Sequence, residues 1–306
     1  MNIRKHAALF ALLFLCTYVF GCGEEPTLAE RPSKGDVFIS IDQLNILVDD
    51  GATVIDVRRE DAFLSGHIPG AANAHWTAFV DGAGSGLISD DDALLSGLLQ
   101  DLGVRNDSPV VVYGLWGNSG EGGVWGDEGR VYWNLRYLGH SEVYILKGGI
   151  EAWSTSGQGI TMAPGAITAG DATISRRPEL RATREEILSL LNSDPESVVI
   201  LDTREVDEFE GAQNFGEERG GHISGAKHLW FYEVFDASGE LRSDAELIAL
   251  FNEIGITNDT IIVAYCTAGI RSGFLFAVFE YLGFTGARNY DGSIWEWAAD
   301  PDAPMD

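Results

Sequence analysis

One cysteine sits where its surroundings can make it reactive. Cys266 follows the run Ile261-Ile262-Val263-Ala264-Tyr265 and opens the loop Cys266-Thr267-Ala268-Gly269-Ile270-Arg271. The apolar, largely β-branched run predicts a buried parallel strand, and Phe274, Leu275, Val278, Phe279 and Leu282 predict a helix with one apolar face. Such a strand, loop and helix carry the thiol to the C-terminal edge of an open α/β sheet, where ligands bind. The loop amides and the helix N-terminus then point at the sulfur and stabilise an anion: a thiolate, a persulfide or a bound oxyanion. A cradle of this kind lowers a cysteine pKa from about 8.5 toward neutrality, at about 1.4 kcal/mol per unit. A lone cysteine at a strand end is otherwise an inert small hydrophobe, so the rest of the chain must decide.

The chain has 306 residues, room for two domains of ordinary size, and its apolar and aromatic content suits real cores. Its formal charge of −27 excludes nucleic acid and anionic membrane surfaces as partners of the bulk surface. An anionic substrate therefore needs local donors. There are three cysteines, and Cys16 and Cys22 fall in the N-terminal segment, so no disulfide framework is expected.

That segment, residues 1–22, carries Arg4 and Lys5 ahead of the apolar run from Ala7 to Phe20. The run is too short to span a bilayer comfortably and suits a secretory signal. Val19-Phe20-Gly21-Cys22 resembles the lipobox of bacterial lipoproteins, which implies cleavage before Cys22 and lipidation of its thiol. The alternative is an ordinary exported protein cleaved nearby. The expected location is outside the cytoplasm, on a lipid anchor facing the periplasm or the cell exterior, with the acyl chains as the one membrane contact. Residues 23–36 read as a polar tether.

Beyond the tether the chain repeats itself. Val54-Ile55-Asp56-Val57-Arg58 matches Ile200-Leu201-Asp202-Thr203-Arg204, and Gly66-His67-Ile68-Pro69-Gly70-Ala71 matches Gly221-His222-Ile223-Ser224-Gly225-Ala226. Further on, Leu102-Gly103-Val104 matches Ile254-Gly255-Ile256, Tyr137-Leu138-Gly139 matches Tyr281-Leu282-Gly283, and Gly148-Gly149-Ile150 matches Gly292-Ser293-Ile294. Short β-rich runs alternate with helical patterns at Asp91–Leu102, Thr183–Leu191 and Asp244–Ile254. The fold class predicted is α/β: two tandem domains, each a mostly parallel sheet with helices on both faces. They are expected at 37–155 and 180–306, joined by a linker at 156–179.

These features together resemble the rhodanese (sulfurtransferase) superfamily. The carrying residues are the Asp-x-Arg motif, the Gly-His-Ile-x-Gly-Ala turn, the cysteine loop, and Tyr290-Asp291-Gly292-Ser293 with Trp297. The resemblance implies that the C-terminal repeat is catalytic through Cys266, and that the N-terminal repeat, with Gly114 in the place of Cys266, is silent. It implies sulfur transfer in two halves. The Cys266 thiolate takes the outer sulfur of a small anionic donor such as thiosulfate, and the persulfide passes it to a thiophilic acceptor: cyanide, a thiol or another protein. This is covalent catalysis by a low-pKa nucleophile, without a cofactor.

Thr267, Ala268, Gly269, Ile270 and Arg271 form the expected anion cradle. Arg271 either grips the donor or pairs with an acidic residue to hold the loop. Arg219 is the second candidate for a sulfonate, or else a partner of Glu217 or Glu218, and Lys227 is the third. From the silent repeat, Asp127 or Arg130 is placed to touch substrate. His67 and His222 occupy equivalent repeat positions although one repeat lacks the thiol, which assigns them to fixing the turn, and the paired Asp-x-Arg motifs are read as structural in the same way. Asp90-Asp91-Asp92 starts a helix. His75, His140 and His228 lack ligand-spaced partners, so no metal site is expected.

Four residues separate Cys266 from Arg271, one fewer than in the related dual-specificity phosphatases, and the tighter loop suits a sulfur atom rather than phosphate. The loop favours thiosulfate as donor; 3-mercaptopyruvate is the alternative, as is a persulfide carrier without turnover. The arginine that the family usually carries after the second Asp-x-Arg is replaced by Glu208.

Overall fold

The computed structural model describes residues 29–306 except 34, 83, 118–125 and 194–196; the expected signal segment and Cys22 lie outside the described residues. The first repeat runs through β1 (Phe38–Ile39), α1 (Ile41–Asp49), β2 (Thr53–Asp56), α2 (Glu60–Ser65), β3 (Ala72–Asn73), α3 (Asp92–Asp101), β4 (Val110–Tyr113), α4 (Asp127–Tyr137), β5 (Val143–Leu146) and α5 (Gly149–Thr155). The second comprises α6 (Arg184–Ser193), β6 (Val198–Asp202), α7 (Val206–Phe209), β7 (Lys227–His228), α8 (Asp244–Glu253), β8 (Ile261–Tyr265), α9 (Ile270–Tyr281), β9 (Ala287–Asn289) and α10 (Ser293–Ala299). The strands form two parallel sheets, in the orders β1-β5-β4-β2-β3 and β7-β6-β8-β9.

The two repeats superimpose in their chemistry. Asp56 is in register with Tyr113, and Asp202 with Tyr265. Arg58 bonds Asp56 at 2.6 Å and the Gly66 carbonyl at 2.7 Å; Arg204 bonds Asp202 and the Gly221 carbonyl, both at 2.7 Å. His67 stacks on Phe63 with its Nδ1 2.9 Å from the Phe63 carbonyl, and His222 does the same with Phe209 at 3.0 Å. Both histidines thus fix a turn. Asp91 caps α3 by accepting from the Ala93 and Leu94 N–H groups.

Each sheet has a core of its own on its outer face, around Leu44, Val111 and Tyr144 in one case and Ile187, Val263 and Trp297 in the other. The inner faces share a third, continuous core from both repeats, and α4 and α9 lie side by side within it. A single apolar face was expected on the helix after the cysteine loop. Instead α9 is buried on every side from Arg271 to Phe279, because α4 covers the flank that solvent would otherwise reach. The two helices meet backbone to backbone. A Cβ on Gly129 would lie 2.2 Å from Phe274 Cα, and one on Gly273 would lie 2.9 Å from Arg130 Cα.

Residues 156–179 are strapped to the first repeat. Thr161 and His67 exchange two backbone bonds, Ala172 donates to the Val104 carbonyl, and Arg177 donates to that of Tyr137. The chain crosses to the second sheet only after this strap.

Gly129→Ala is expected to destabilise the protein by about 1–3 kcal/mol, since the added methyl has no space at the helix crossing. Gly97→Ala, in the half-buried middle of α3 with nothing within 4 Å of the new methyl, is expected to stabilise by a few tenths to about 1 kcal/mol. Urea unfolding of the two variants, compared at equal m-value, checks both signs.

Candidate active site

β8 delivers Cys266 to the C-terminal edge of the second sheet, and the next three residues turn directly into α9. Gly269 makes that turn possible. Its φ of 76° is in the left-handed region, and a Cβ there would lie 2.1 Å from Arg130 Nη1. The Ile270 N–H donates to Cys266 Sγ at 3.2 Å. On the other side of the thiol, the Cys266 N–H donates to Ser293 Oγ at 3.1 Å, and that hydroxyl donates to the Tyr290 carbonyl at 2.7 Å. The N-terminus of α10 closes the ring, with Ile294 N–H on the Cys266 carbonyl and Trp295 N–H on that of Thr267, both at 3.1 Å.

The first repeat holds the loop from outside. Arg130 donates to the Ala268 carbonyl at 3.0 Å and to the Gly86 carbonyl at 2.6 Å, and its guanidinium lies 5.0 Å from the Trp133 ring centroid. Burial pulls Arg130 down to about 10, so it remains a cation at neutral pH. Arg130 therefore positions the loop rather than a ligand. Asp291 is held between Arg181 and the Ile88 N–H, each at 2.8 Å, which ties the end of the second sheet to the first repeat.

Cys266 is only 1% exposed. Burial alone would push its thiol up. The nearby Arg271 charge, the Ser272 and Ala268 N–H groups and the Ser272 hydroxyl outweigh burial and hold it below the ordinary thiol value. Arg271 itself is fully engaged in the wall of the site. Both of its terminal nitrogens reach the Glu208 carboxylate, one at 2.8 Å, and Nη2 also bonds the Thr267 hydroxyl, which donates to Glu208 at 3.1 Å. Of the two roles open to Arg271, the pairing role is the one seen.

Arg219 requires a correction. It neither faces the thiol nor pairs with Glu217 or Glu218. Its guanidinium donates to the carbonyls of Trp297, Ala298, Asp300 and Ala303 and so caps the C-terminal end of α10. Lys227 is exposed on β7, outside the cleft. Glu205, Asp207 and Glu208 bring one oxygen each within 4.8 Å of one another, but Glu208 is committed to Arg271.

A cleft of about 460 Å³ opens over Cys266. The second repeat contributes Thr267, Ala268, Ile270, Arg271, Phe215 and Trp295; the first contributes Arg58, Arg59, Asp61, His75, Trp76 and Asp127. Asp127 is thus in the cleft, one of the two residues of the first repeat expected to reach it. Arg59 went unnoticed in the sequence, and His75 was considered there only as a metal ligand. The available signal was their nearness to the duplicated motifs: Arg59 directly follows the first Asp-x-Arg, and His75 stands where the second repeat has Trp230.

The sequence signature of the rhodanese-like domain matches residues 40–156 and 183–300. The chain belongs to the rhodanese family. It is 31% identical to the sulfur carrier protein TtuD of Thermus thermophilus over 86% of this chain and 93% of that one. It is 30% identical to a thiosulfate sulfurtransferase of Pseudomonas aeruginosa over 83% and 90%. Among solved structures, the 3-mercaptopyruvate sulfotransferase SseA of Escherichia coli matches with a TM-score of 0.72 at 27% identity, covering 84% of this chain and 98% of that one.

In this tandem rhodanese the silent repeat is recognisable atom by atom. Ile150 N–H donates to the Gly114 carbonyl at 3.1 Å, as Ile294 N–H does to that of Cys266. A side chain in place of Gly114 would meet the carboxylate of Glu128, whose Oε2 would lie 2.7 Å from the added Cβ.

Replacing both members of the buried pair, as Glu208→Gln with Arg271→Met, avoids leaving either charge alone. The loss of the guanidinium destabilises the thiolate, so the pKa of Cys266 is expected to rise. Iodoacetamide alkylation followed against pH reads the shift: the variant's profile moves to higher pH.

Proposed function

We propose that this rhodanese is a thiosulfate-type sulfurtransferase that carries the transferred sulfur as a persulfide on Cys266. The observation that carries the reading is the thiol at the floor of the cleft, with the Ile270 N–H on its sulfur and the loop's other donors stabilising an anion there. The thiolate attacks the outer sulfur of thiosulfate, sulfite departs with the electron pair of the broken S–S bond, and the persulfide stays in the same cradle. The relative named thiosulfate sulfurtransferase supports this donor. A second reading, slow turnover as a persulfide carrier, is favoured by one feature: Arg271, whose charge acts on the thiol, is already paired with Glu208. The likeness to a protein named as a sulfur carrier supports it too.

Thiosulfate and cyanide are expected to give thiocyanate with the wild-type soluble part, from about residue 37 onward, and none with Cys266→Ser. Intact mass after thiosulfate alone is expected to show an adduct of roughly 32 Da, the persulfide sulfur, on Cys266. An adduct without thiocyanate selects the carrier; neither product with thiosulfate or 3-mercaptopyruvate rejects both readings.

The N-terminal segment supports a further proposal: export through its signal-like run and lipidation of Cys22, leaving the catalytic domains tethered to a membrane outside the cytoplasm. No helix among the described residues is long and apolar enough to cross a membrane. In a bacterial host, labelled palmitate is expected to enter the full chain and to be lost in Cys22→Ala, with the protein moving to the soluble fraction. Equal membrane retention of the unlabelled variant would show that lipid is not the anchor.

A further inference from the structure

We propose that Asp127, contributed by the repeat that has no thiol, is the general base that ionises a thiol acceptor in the cleft over Cys266. The inference rests on the persulfide reading above and concerns its second half, the delivery of sulfur.

The position is set by the duplication. The constant offset that pairs Tyr137 with Tyr281 and Gly129 with Gly273 also pairs Asp127 with Arg271. α4 and α9 therefore direct their first turns into one cleft, with an acid on one helix at the place of a base on the other. The side chain of Asp127 keeps 27% exposure there, so a ligand can reach it.

Among the described residues no other carboxylate in the cleft is placed for the task. Glu208 is bound to Arg271 and Thr267. Asp61 is exposed at the rim and accepts its own helix's Ala62 N–H. His75 does not compete either. Its Nδ1 is taken up by Thr77, 2.8 Å from the hydroxyl oxygen and 3.4 Å from the N–H, and its Nε2 lies 4.0 Å from Asp127 Oδ2. Burial and the Arg59 charge push His75 down to about 4, so at neutral pH the ring is uncharged and a far weaker base than a thiol acceptor requires.

The charged and titratable groups around Asp127 are Arg58, Arg59 and Asp61 from the segment after β2, His75, Glu128 on α4 itself, and Arg271 on the far wall. Burial pushes Asp127 up to about 7, with Arg59 acting in the opposite sense. That suits a base working on a thiol whose own pKa is about 8.5.

In the step, Asp127 takes the proton of the acceptor thiol R–SH. The thiolate lone pair bonds to the outer sulfur of the Cys266 persulfide. The bond between that sulfur and Sγ breaks, and its electron pair returns to Sγ as the Cys266 thiolate. The acceptor leaves as R–S–S⁻, and Asp127 gives its proton to water.

The test is single-turnover transfer from enzyme loaded with thiosulfate, in wild type, Asp127→Asn and Asp127→Glu, with two acceptors. One is 2-mercaptoethanol, protonated at pH 7; the other is 5-thio-2-nitrobenzoate, already ionised there. Asp127→Asn is expected to deliver to 2-mercaptoethanol on the order of 100-fold more slowly at pH 7, with the gap closing as pH rises past the acceptor's pKa. Delivery to 5-thio-2-nitrobenzoate is expected to stay within about threefold, and Asp127→Glu to recover much of the loss. An equal deficit with both acceptors would mark Asp127 as structural and overturn the proposal, as would wild-type rates with 2-mercaptoethanol at pH 7. If wild type takes up no 32 Da adduct at all, the persulfide reading fails first; an adduct that forms while the acceptor dependence is absent sinks this inference alone.

Discussion

The site depends on one close contact, the crossing of α4 and α9 at Gly129 and Gly273. Two helices that touch at their backbones bring their N-terminal turns together, and the turns then share a cleft that neither repeat could form alone. The crossing also explains the burial of Arg130. Its backbone is packed against Gly273, so its side chain has no route to solvent and reaches instead to the Ala268 and Gly86 carbonyls. A buried guanidinium is costly unless its donors are met. Here carbonyls, Asn134 and the face of Trp133 meet them, and the cysteine loop is fixed as a result.

Duplication has preserved what folds each repeat and altered what lies at the cleft. The Asp-x-Arg pair, its carbonyl contact, the tyrosine hydroxyl that receives the Ile68 or Ile223 N–H, and the stacked histidine are alike in both halves. At the cleft the equivalents differ: Gly114 and Cys266, Asp127 and Arg271, Gly149 and Ser293. The last pair shows the physical difference. Both residues have a left-handed backbone, with φ of 52° and 54°. Glycine adopts it freely; serine does so at a cost of about 1 kcal/mol or more. In the second repeat the Ser293 hydroxyl offsets that cost by holding the Cys266 N–H and the Tyr290 carbonyl.

Much of this was legible because it is local or repeated. Periodicity placed α3, α6 and α8 within about two residues of their bounds, and the motif order exposed the two α/β units and the thiol at a strand end. What escaped depends on residues far apart in the chain. Arg219 finds its carbonyls about eighty residues onward, and no local pattern ranks those above a sulfonate or a neighbouring glutamate. The buried face of α9 toward solvent was invisible for the same reason, since α4 covers it from the other repeat. Glu208 stood out as a departure, but its partner was unknown until Arg271 was seen 2.8 Å away.

That pair sets the electrostatics of the thiol. A bare arginine beside Cys266 would stabilise the thiolate strongly, yet nucleophilicity falls as thiol pKa falls, and the best attacking thiol has a pKa close to the ambient pH. Glu208 draws off part of the Arg271 field, while the amide donors of the loop, which are fixed dipoles rather than full charges, continue to act on the sulfur. The thiol is therefore lowered without being made inert. With Arg271 paired in this way, the other polar groups of the cleft, Arg59, His75 and Asp127, stand on the opposite wall. A chain with a formal charge of −27 thus repels anions in bulk and leaves their selection to a few groups over the sulfur. On this account the silent repeat is no spacer: it supplies the polar wall against which the reactive sulfur works.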